Sequence, residues 1–346
     1  MYKKCGILEK TIAQLMQRTG LRGALMIGTL FLTDDFKRSA NNNSLRAITN
    51  TFLSALHHQD VHDLTTAVNM IDDRVDSSPP DWILKIGKPH LGIAPSSFLT
   101  SEETCPKEFT HAFNKAVHSG LTQRDVGNAF NNILAYELFK RAKCDENFRA
   151  NPSLENRQAL HDANMRISEV YTIFIFRCLT KSKTVPANLE YLNYADAVNH
   201  MPEIAHISGI LQIFDDVRDV LIDMEAEIQK GVPTSNWLVL KMSENGDYTT
   251  KHSDKDAIVT NYVERLSQQQ EVDMTPPQFI KAALKRTEHE VSAMIADVEK
   301  PITRTILSII LDVVLNSGLR SSSNPDVIEK QKRREAEFLA LKLKYA

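Results

Sequence analysis

Residues 213–223 read IFDDVRDVLID, an apolar helical pattern interrupted by aspartates. The four carboxylates are those of Asp215, Asp216, Asp219 and Asp223. Aspartate is a poor helix former, and like charges four residues apart repel by about 0.2–0.5 kcal/mol per pair. The segment therefore predicts a helix that carries clustered negative charge for a purpose other than its own stability.

The two sides of this helix differ in chemistry. At about 100° per residue, Asp215, Asp219 and Asp223 lie within about 80° of one another. The opposite side carries apolar residues suited to packing: Ile213, Val217, Val220, Leu221, Met224 and Ile228. Leu211 and Ile222 border the acidic side, which favours carboxylates that face a cavity. An ordinary amphipathic helix with its acidic side in water is the alternative.

A second acidic cluster lies in residues 70–76, MIDDRVD. Asp72 and Asp76 are four residues apart with Asp73 beside them, and SSPP at 77–80 ends the helix at once. The carboxyl end of a helix is the negative end of its dipole, so crowded carboxylates there favour a bound cation. Two such clusters on different helices suit Mg²⁺, which binds one or two carboxylates together with substrate phosphate oxygens.

Helical periodicity runs along nearly the whole sequence, and no alternating strand pattern of any length occurs. The helical segments are 7–18, 44–57, 61–75, 121–142, 156–180, 203–229, 255–268, 277–298, 302–315 and 325–343. Breakers separate them, and no linker is long enough to mark a domain boundary. We expect one all-α domain over residues 1–346, a bundle of about ten or more helices. Its cleft would lie between the helices around 61–76 and 203–230.

Composition limits the class of protein. The 346 residues are 42% apolar and 25% charged, with a formal net charge of −3. That balance gives no electrostatic basis for a nucleic-acid partner. The four cysteines form no CxxC pair, and the longest uncharged apolar stretch, residues 23–33, is too short to span a membrane. We expect a cytoplasmic protein with at most a peripheral membrane contact, and a homodimer is left open.

The two aspartate clusters resemble the paired motifs of class I isoprenoid synthases. DDRVD at 72–76 is similar to the first motif, DDxxD, and DDVRDVLID at 215–223 resembles the second, at a separation usual for the family. In that family the motifs face each other across an all-α bundle and hold three Mg²⁺ ions that bind a diphosphate. The metal ligands implied by the resemblance are Asp72, Asp76, Asp215, Asp219 and Asp223, with Asp73 and Asp216 as their supporting neighbours.

The resemblance implies an enzyme that ionises an allylic isoprenoid diphosphate. Metal ions and basic side chains would meet the charge of the departing diphosphate, and a dry apolar pocket would receive the carbocation. Arg218 and Lys230 flank the second motif and are candidates for diphosphate contact, although exposed helix charges are the alternative. Arg177 lies among apolar neighbours on the preceding long helix and is a further candidate.

The branch of the family is less defined. RDVLID at 218–223 is similar to the Arg-Asp-Val-x-x-Asp pattern of squalene and phytoene synthases, and EYLNYADAV at 190–198 to their tyrosine-containing helix. This favours a transferase that condenses two diphosphates head to head. The second motif also fits the terpene cyclase pattern (N/D)DxxSxxxE, with Asp219 and Asp223 in place of Ser and Glu. KGVPTSNW at 230–237 is then similar to the cyclase Gly…Asn segment.

Two alternatives belong to other classes. One is a non-catalytic helical scaffold that retains the aspartate motifs. The other is a di-iron protein, because EFTH at 108–111 and EIAH at 203–206 are both Glu-x-x-His sequences. Each follows a proline within two residues, so each glutamate falls in a first helical turn, where an acidic side chain is expected. We therefore favour helix starts over metal ligands at both places.

Overall fold

The computed structural model describes most of the second half of the chain and part of the first. The described residues are 63, 66, 67, 70, 107–118, 124–180, 194–244, 246, 248, 257, 290–299, 301–316 and 325–345. Among these residues helix dominates and no strand occurs, which confirms the all-α prediction. Asp72, Asp73 and Asp76 lie outside the described residues, as do the predicted helices at 7–18 and 44–57.

The helices with defined bounds follow the chain from residue 107 onward. They are α1 Lys107–His118, α2 Arg124–Ala150, α3 Leu154–Thr180, α4 Tyr194–His200, α5 Pro202–Lys230, α6 Trp237–Glu244, α7 Pro301–Asn316 and α8 Pro325–Tyr345. Residues 290–296 are also helical. The predicted bounds of α3, α5, α7 and α8 agree with the observed ones to within two residues.

Four helices depart from the sequence prediction. α2 runs past its predicted end at residue 142, because its buried side continues through Asp145 and Phe148. Helices α1, α4 and α6 are absent from the predicted helical segments, although a helix start was expected at EFTH, where α1 begins. α6 is buried on nearly all sides, so it lacks the alternation of apolar and polar residues that reveals an amphipathic helix.

Local chemistry fixes the ends of the long helices. Ser153 caps α3, because its Oγ accepts a hydrogen bond from the backbone N–H of Asn156 at 3.2 Å. Pro202 opens α5 at a position where a missing N–H costs nothing. α5 stops at Gly231, whose φ of 64° is left-handed and whose N–H bonds the carbonyl of Glu227 at 3.0 Å.

The chain divides into two compact units. Unit 1 comprises residues 1–24, 144–165 and 206–329, and unit 2 comprises residues 25–143, 166–205 and 330–346. Helices α2, α3, α5 and α8 contribute residues to both units.

The core of unit 1 is built around the apolar side of α5. Four residues of the predicted apolar side are buried: Ile213, Val217, Val220 and Met224. Leu221 and Ile228 are partly exposed, and Leu211, predicted at the border, is fully buried. Phe214 is the largest completely buried side chain near the acidic motif. Four of the six residues of the predicted apolar side therefore lie in the core.

In unit 2, the end of the C-terminal helix is held by a buried carboxylate. Asp63 bonds Lys344, accepts the hydroxyl of Tyr345 at 3.0 Å and lies 3.6 Å from Lys115. His111 meets the Tyr345 ring edge-on, with 5.4 Å between ring centroids. α8 is otherwise largely exposed, as its charged sequence predicts. None of the helices in the described part of the chain has the length and apolarity that crossing a bilayer requires.

Candidate functional site on helix α5

The four aspartates of α5 fall into two environments. Asp215, Asp219 and Asp223 are half-buried, whereas Asp216 keeps only 6% of its surface exposed. Their order around the helix explains this difference. Viewed along the helix axis at about 100° per residue, Asp216 lies about 100° from Asp215 in the direction of the apolar side. Asp223 lies about 80° from Asp215 in the same direction, and so next to Asp216. The border between the two sides is covered by the residues that follow α5.

Asp216 anchors the start of α6. Its two carboxylate oxygens accept hydrogen bonds from Gln212 Nε2 and from the backbone N–H of Trp237, each at 2.8 Å. Burial raises the pKa of Asp216 to about 8, against these two hydrogen bonds, which favour the ionised form. The negative charges of Asp215 and Asp219 raise the pKa further. Asp216 therefore serves the local fold, and it is a poor choice for direct contact with a metal ion.

Asn236 links this anchor to the acidic side of α5. Its Nδ2 donates to the backbone carbonyl of Asp216 and, at 2.7 Å, to Oδ2 of Asp223. Its Oδ1 accepts the N–H groups of Leu238 at 2.9 Å and Val239 at 3.3 Å. Asn236 is thus the N-cap of α6 and at the same time a hydrogen-bond donor to a predicted metal ligand.

The irregular segment 231–236 is fixed to α5 by Glu227, three residues before the helix ends. Glu227 accepts from Nη2 of Arg157 at 2.6 Å, from Nη1 at 2.9 Å and from the backbone N–H of Thr234 at 2.7 Å. Arg157 also donates to the carbonyl of Thr234 at 3.1 Å. The guanidinium lies 4.5 Å from the ring centre of Phe148 and 5.1 Å from that of Tyr248. Arg157 and Glu227 thus form a buried ion pair with two parallel hydrogen bonds, the bidentate geometry that gives strong charge-assisted bonds.

Two further side chains hold the same segment. Arg149 donates to the carbonyl of Gly231 at 2.8 Å, and His161 donates from Nδ1 to the carbonyl of Ser235 at 2.8 Å. Burial lowers the pKa of His161, so the ring is neutral at pH 7. Because α2, α3 and α5 all contribute, the position of Asn236 is set by the surrounding structure.

Sequence reasoning missed most of this support. Asn236 is the Asn of the cyclase-like segment at 230–237, and an Asn directly before an apolar run is also a helix N-cap signature, but neither pattern predicted its contact with Asp223. Arg157 and Glu227 are 70 residues apart, and no local pattern joins them. His161 likewise carries no local signal of its contact with Ser235.

The donor set suits a hard cation, although the described part supplies only one side of such a site. Within the residues that the structure describes, no three His, Cys, Asp or Glu side chains form a group that could hold a metal ion. Asp215, Asp219 and Asp223 offer carboxylate oxygens, and Mg²⁺ is usually bound by one or two carboxylates together with substrate phosphate oxygens and water. Asp72 and Asp76, the ligands that the resemblance implies for the first motif, lie outside the described residues.

The predicted diphosphate-binding side chains differ in their helix and in their exposure. Arg218 is half-buried on α5, next to the acidic motif in sequence. Lys230 is exposed at the last residue of α5, where a cation complements the helix dipole. Arg177 lies on α3, but its side chain is outside the described part.

Residues 194–198 of the tyrosine-containing segment lie in α4, in unit 2. Its first residue, Tyr194, donates its hydroxyl to Glu169, and Arg166 lies 5.4 Å from the ring centre. Burial, together with the Glu169 carboxylate, raises the pKa of Tyr194 well above its ordinary value. The hydroxyl is therefore a donor that stays protonated.

The histidines of the two Glu-x-x-His sequences have other roles. His206 donates from Nε2 to the carbonyl of Met294 at 2.6 Å, which occupies one of its two ring nitrogens. His111 packs against Tyr345. These contacts support the interpretation of both sequences as ordinary helix starts.

Comparison with known proteins yields no match. No family model matches the sequence, and no match appears among curated proteins or among solved structures.

Proposed function

We propose that this chain is a Mg²⁺-dependent class I isoprenoid synthase that ionises an allylic isoprenoid diphosphate. The proposal includes one isoprenoid-synthase-like domain of ten or more helices over residues 1–346, working in the cytoplasm. The observation that carries it is the row of half-buried carboxylates along one side of α5, Asp215, Asp219 and Asp223, with Asp223 held by a buried amide. A solvated acidic surface has no need of such a support.

Each candidate residue has a proposed role. Asp215, Asp219 and Asp223 would hold Mg²⁺ from one side of the cleft, and Asp72 and Asp76 from the other. Bound Mg²⁺ would supply the positive charge that stabilises the departing diphosphate. The basic candidates for diphosphate contact are Arg218, Lys230 and Arg177.

Two reactions remain in competition within this class. Head-to-head condensation, as in squalene and phytoene synthases, agrees with the similarity at RDVLID and is our first choice. Terpene cyclisation is the second, and it is favoured by the contact between Asn236 and Asp223, which joins the two parts of the cyclase-like pattern. At low substrate, product formation should be second order for condensation of two identical molecules and first order for cyclisation.

The binding experiment is a thermal shift measurement with MgCl₂ and pyrophosphate. Together they should raise the melting temperature by linkage, and either one alone should do much less. Replacing Asp72 and Asp219 together by Asn should abolish the response. Asp162→Asn is a matched control, because it makes the same change at an exposed position of α3.

Two outcomes would contradict the proposal. A wild-type protein that shows no shift with both components present would favour the non-catalytic scaffold. Iron or manganese that copurifies with the chain in stoichiometric amount would favour the di-iron alternative.

A further inference from the structure

We propose that Asn236 is a positioning residue that holds the Asp223 carboxylate in its metal-binding orientation. The inference rests on the proposed function and extends it to a residue outside both aspartate motifs. Asn236 is 1% exposed and lies at the start of α6, thirteen positions after Asp223 in the sequence.

The hydrogen-bonding capacity of the Asn236 side chain is fully used. The two hydrogens on Nδ2 go to the Asp216 carbonyl and to Asp223 Oδ2, and the two lone pairs of Oδ1 accept the N–H groups of Leu238 and Val239. The amide cannot turn over without placing Nδ2 against two N–H donors. The hydrogen that points at Asp223 therefore has a fixed direction.

The choice of Asn at this position follows from Asp223. Ser, Thr and Asp cap helices about as well as Asn does, because the cap needs only an oxygen acceptor. None of them can accept from the start of α6 and also donate two hydrogen bonds. Asp would add a negative charge against Asp223. Among these cap residues, only Asn accepts from the start of α6 while it donates to both the Asp216 carbonyl and the Asp223 carboxylate.

The support is independent of Asp223 itself. The backbone N–H of Asn236 bonds Thr234 Oγ1 at 3.1 Å, and Thr234 is held by Glu227 and Arg157. The amide therefore keeps its place whether or not a cation is bound. A carboxylate pre-oriented in this way needs less ordering when the cation arrives, and partners of this kind typically alter metal affinity by about 10–100-fold.

The test measures the Mg²⁺ concentration that gives half of the pyrophosphate-dependent thermal shift. Asn236→Ser keeps a cap and replaces the two N–H hydrogens of the amide by a single O–H on a shorter side chain, and Asn236→Asp keeps a cap and puts a negative charge in place of the donor. We expect the half-saturating Mg²⁺ concentration to rise about 10-fold for Ser and more for Asp. Thr234→Val is the matched control, because it weakens the same segment while the Nδ2 donor stays.

Each outcome decides the question. Equal Mg²⁺ dependence in wild type, Asn236→Ser and Asn236→Asp would overturn the inference while leaving the proposed function standing. A wild type without any response would overturn the proposed function and the inference with it. If both Asn236 variants fail to fold, the wild type still decides, because the side-chain amide signals of Asn236 should shift in ¹⁵N-resolved NMR on addition of Mg²⁺ and pyrophosphate. Unchanged signals under saturating conditions would contradict the proposed contact.

Discussion

Helix α5 carries carboxylates in two places, at the border between its apolar and acidic sides and on the acidic side itself, here called the open side. The carboxylates at the border support the fold, and those on the open side are candidate metal ligands. At the border, Asp216 and Glu227 are buried, and each accepts a main-chain N–H from the segment that follows the helix. On the open side, Asp215 and Asp219 remain partly exposed. The difference shows that burial and donor placement, rather than residue type, separate structural carboxylates from candidate ligands within one acidic stretch. Four experiments can break or sharpen this division.

The largest effect is expected at the buried border. Glu227→Gln removes the charge that compensates Arg157, which would leave a guanidinium buried without its counter-charge. Breaking a buried ion pair in this way typically costs about 3–5 kcal/mol of unfolding free energy. Urea denaturation of the variant, in the absence of ligands, measures the loss.

The matched control is an ion pair of ordinary exposure. Glu337→Gln removes the partner of Arg333 on α8, where both side chains are substantially exposed. Such pairs contribute about 0.3–0.5 kcal/mol. Equal losses for Glu337→Gln and Glu227→Gln would mean that burial of the Arg157–Glu227 pair has no special weight.

The second effect is a pH dependence of the unfolding free energy. It tests the hydrogen bond by which His161 of α3 holds the carbonyl of Ser235. The folded state disfavours charged His161, because burial lowers its pKa below the ordinary value of 6.5. Its stabilising contribution is therefore complete above pH 6.5 and is lost as the pH falls toward the lower folded pKa, by at most about 1.4 kcal/mol per pH unit for one proton.

The chain has 11 histidines, so the comparison must be made with a variant. His161→Asn keeps a donor for the Ser235 carbonyl and does not titrate. Its unfolding free energy should fall less between pH 7 and pH 5 than that of the wild type. If the unfolding free energies of the two proteins fall equally with pH, His161 does not contribute to the pH dependence of stability.

A third effect, of about 1 kcal/mol, is expected where α5 ends. Gly231 has a φ of 64°, and a Cβ built there meets no atom within 4 Å, so Gly231→Ala suffers only the backbone cost of the left-handed conformation. Gly209→Ala is the control within the same helix, since its Cβ meets only the flexible end of Met165 at 3.3 Å. Thermal unfolding should show a loss for residue 231 and none of that size for residue 209.

The smallest effect is expected on the open side, with the opposite sign. Asp219→Asn should raise the metal-free stability by about 0.2–0.5 kcal/mol for each of its two neighbours four residues away, Asp215 and Asp223, because it relieves their repulsion. The gain should shrink in high salt, since partly exposed charges are screened. A loss of more than about 1 kcal/mol in metal-free denaturation would place Asp219 among the structural carboxylates instead.

The sequence predicted the helices better than the contacts between them. The spacing of Val217, Val220 and Met224 was enough to identify the buried side of α5, because helical periodicity is a local property. Asp216 could not be assigned, since its angle lies between the two sides and its burial depends on Trp237 and Gln212. The contact between Arg157 and Glu227 depends on how α3 and α5 pack, which no local pattern encodes.

The irregular segment after α5 has an unusual dynamic consequence. Loop amides normally exchange their hydrogens with solvent deuterium quickly, because local fluctuations expose them. Here the amides of Thr234 and Trp237 donate to the carboxylates of Glu227 and Asp216, both of them buried. Deuterium can reach these amides only when the packing around the two carboxylates opens, so Thr234, in the irregular segment, and Trp237, the first residue of α6, should exchange as slowly as the interior of the helices beside them.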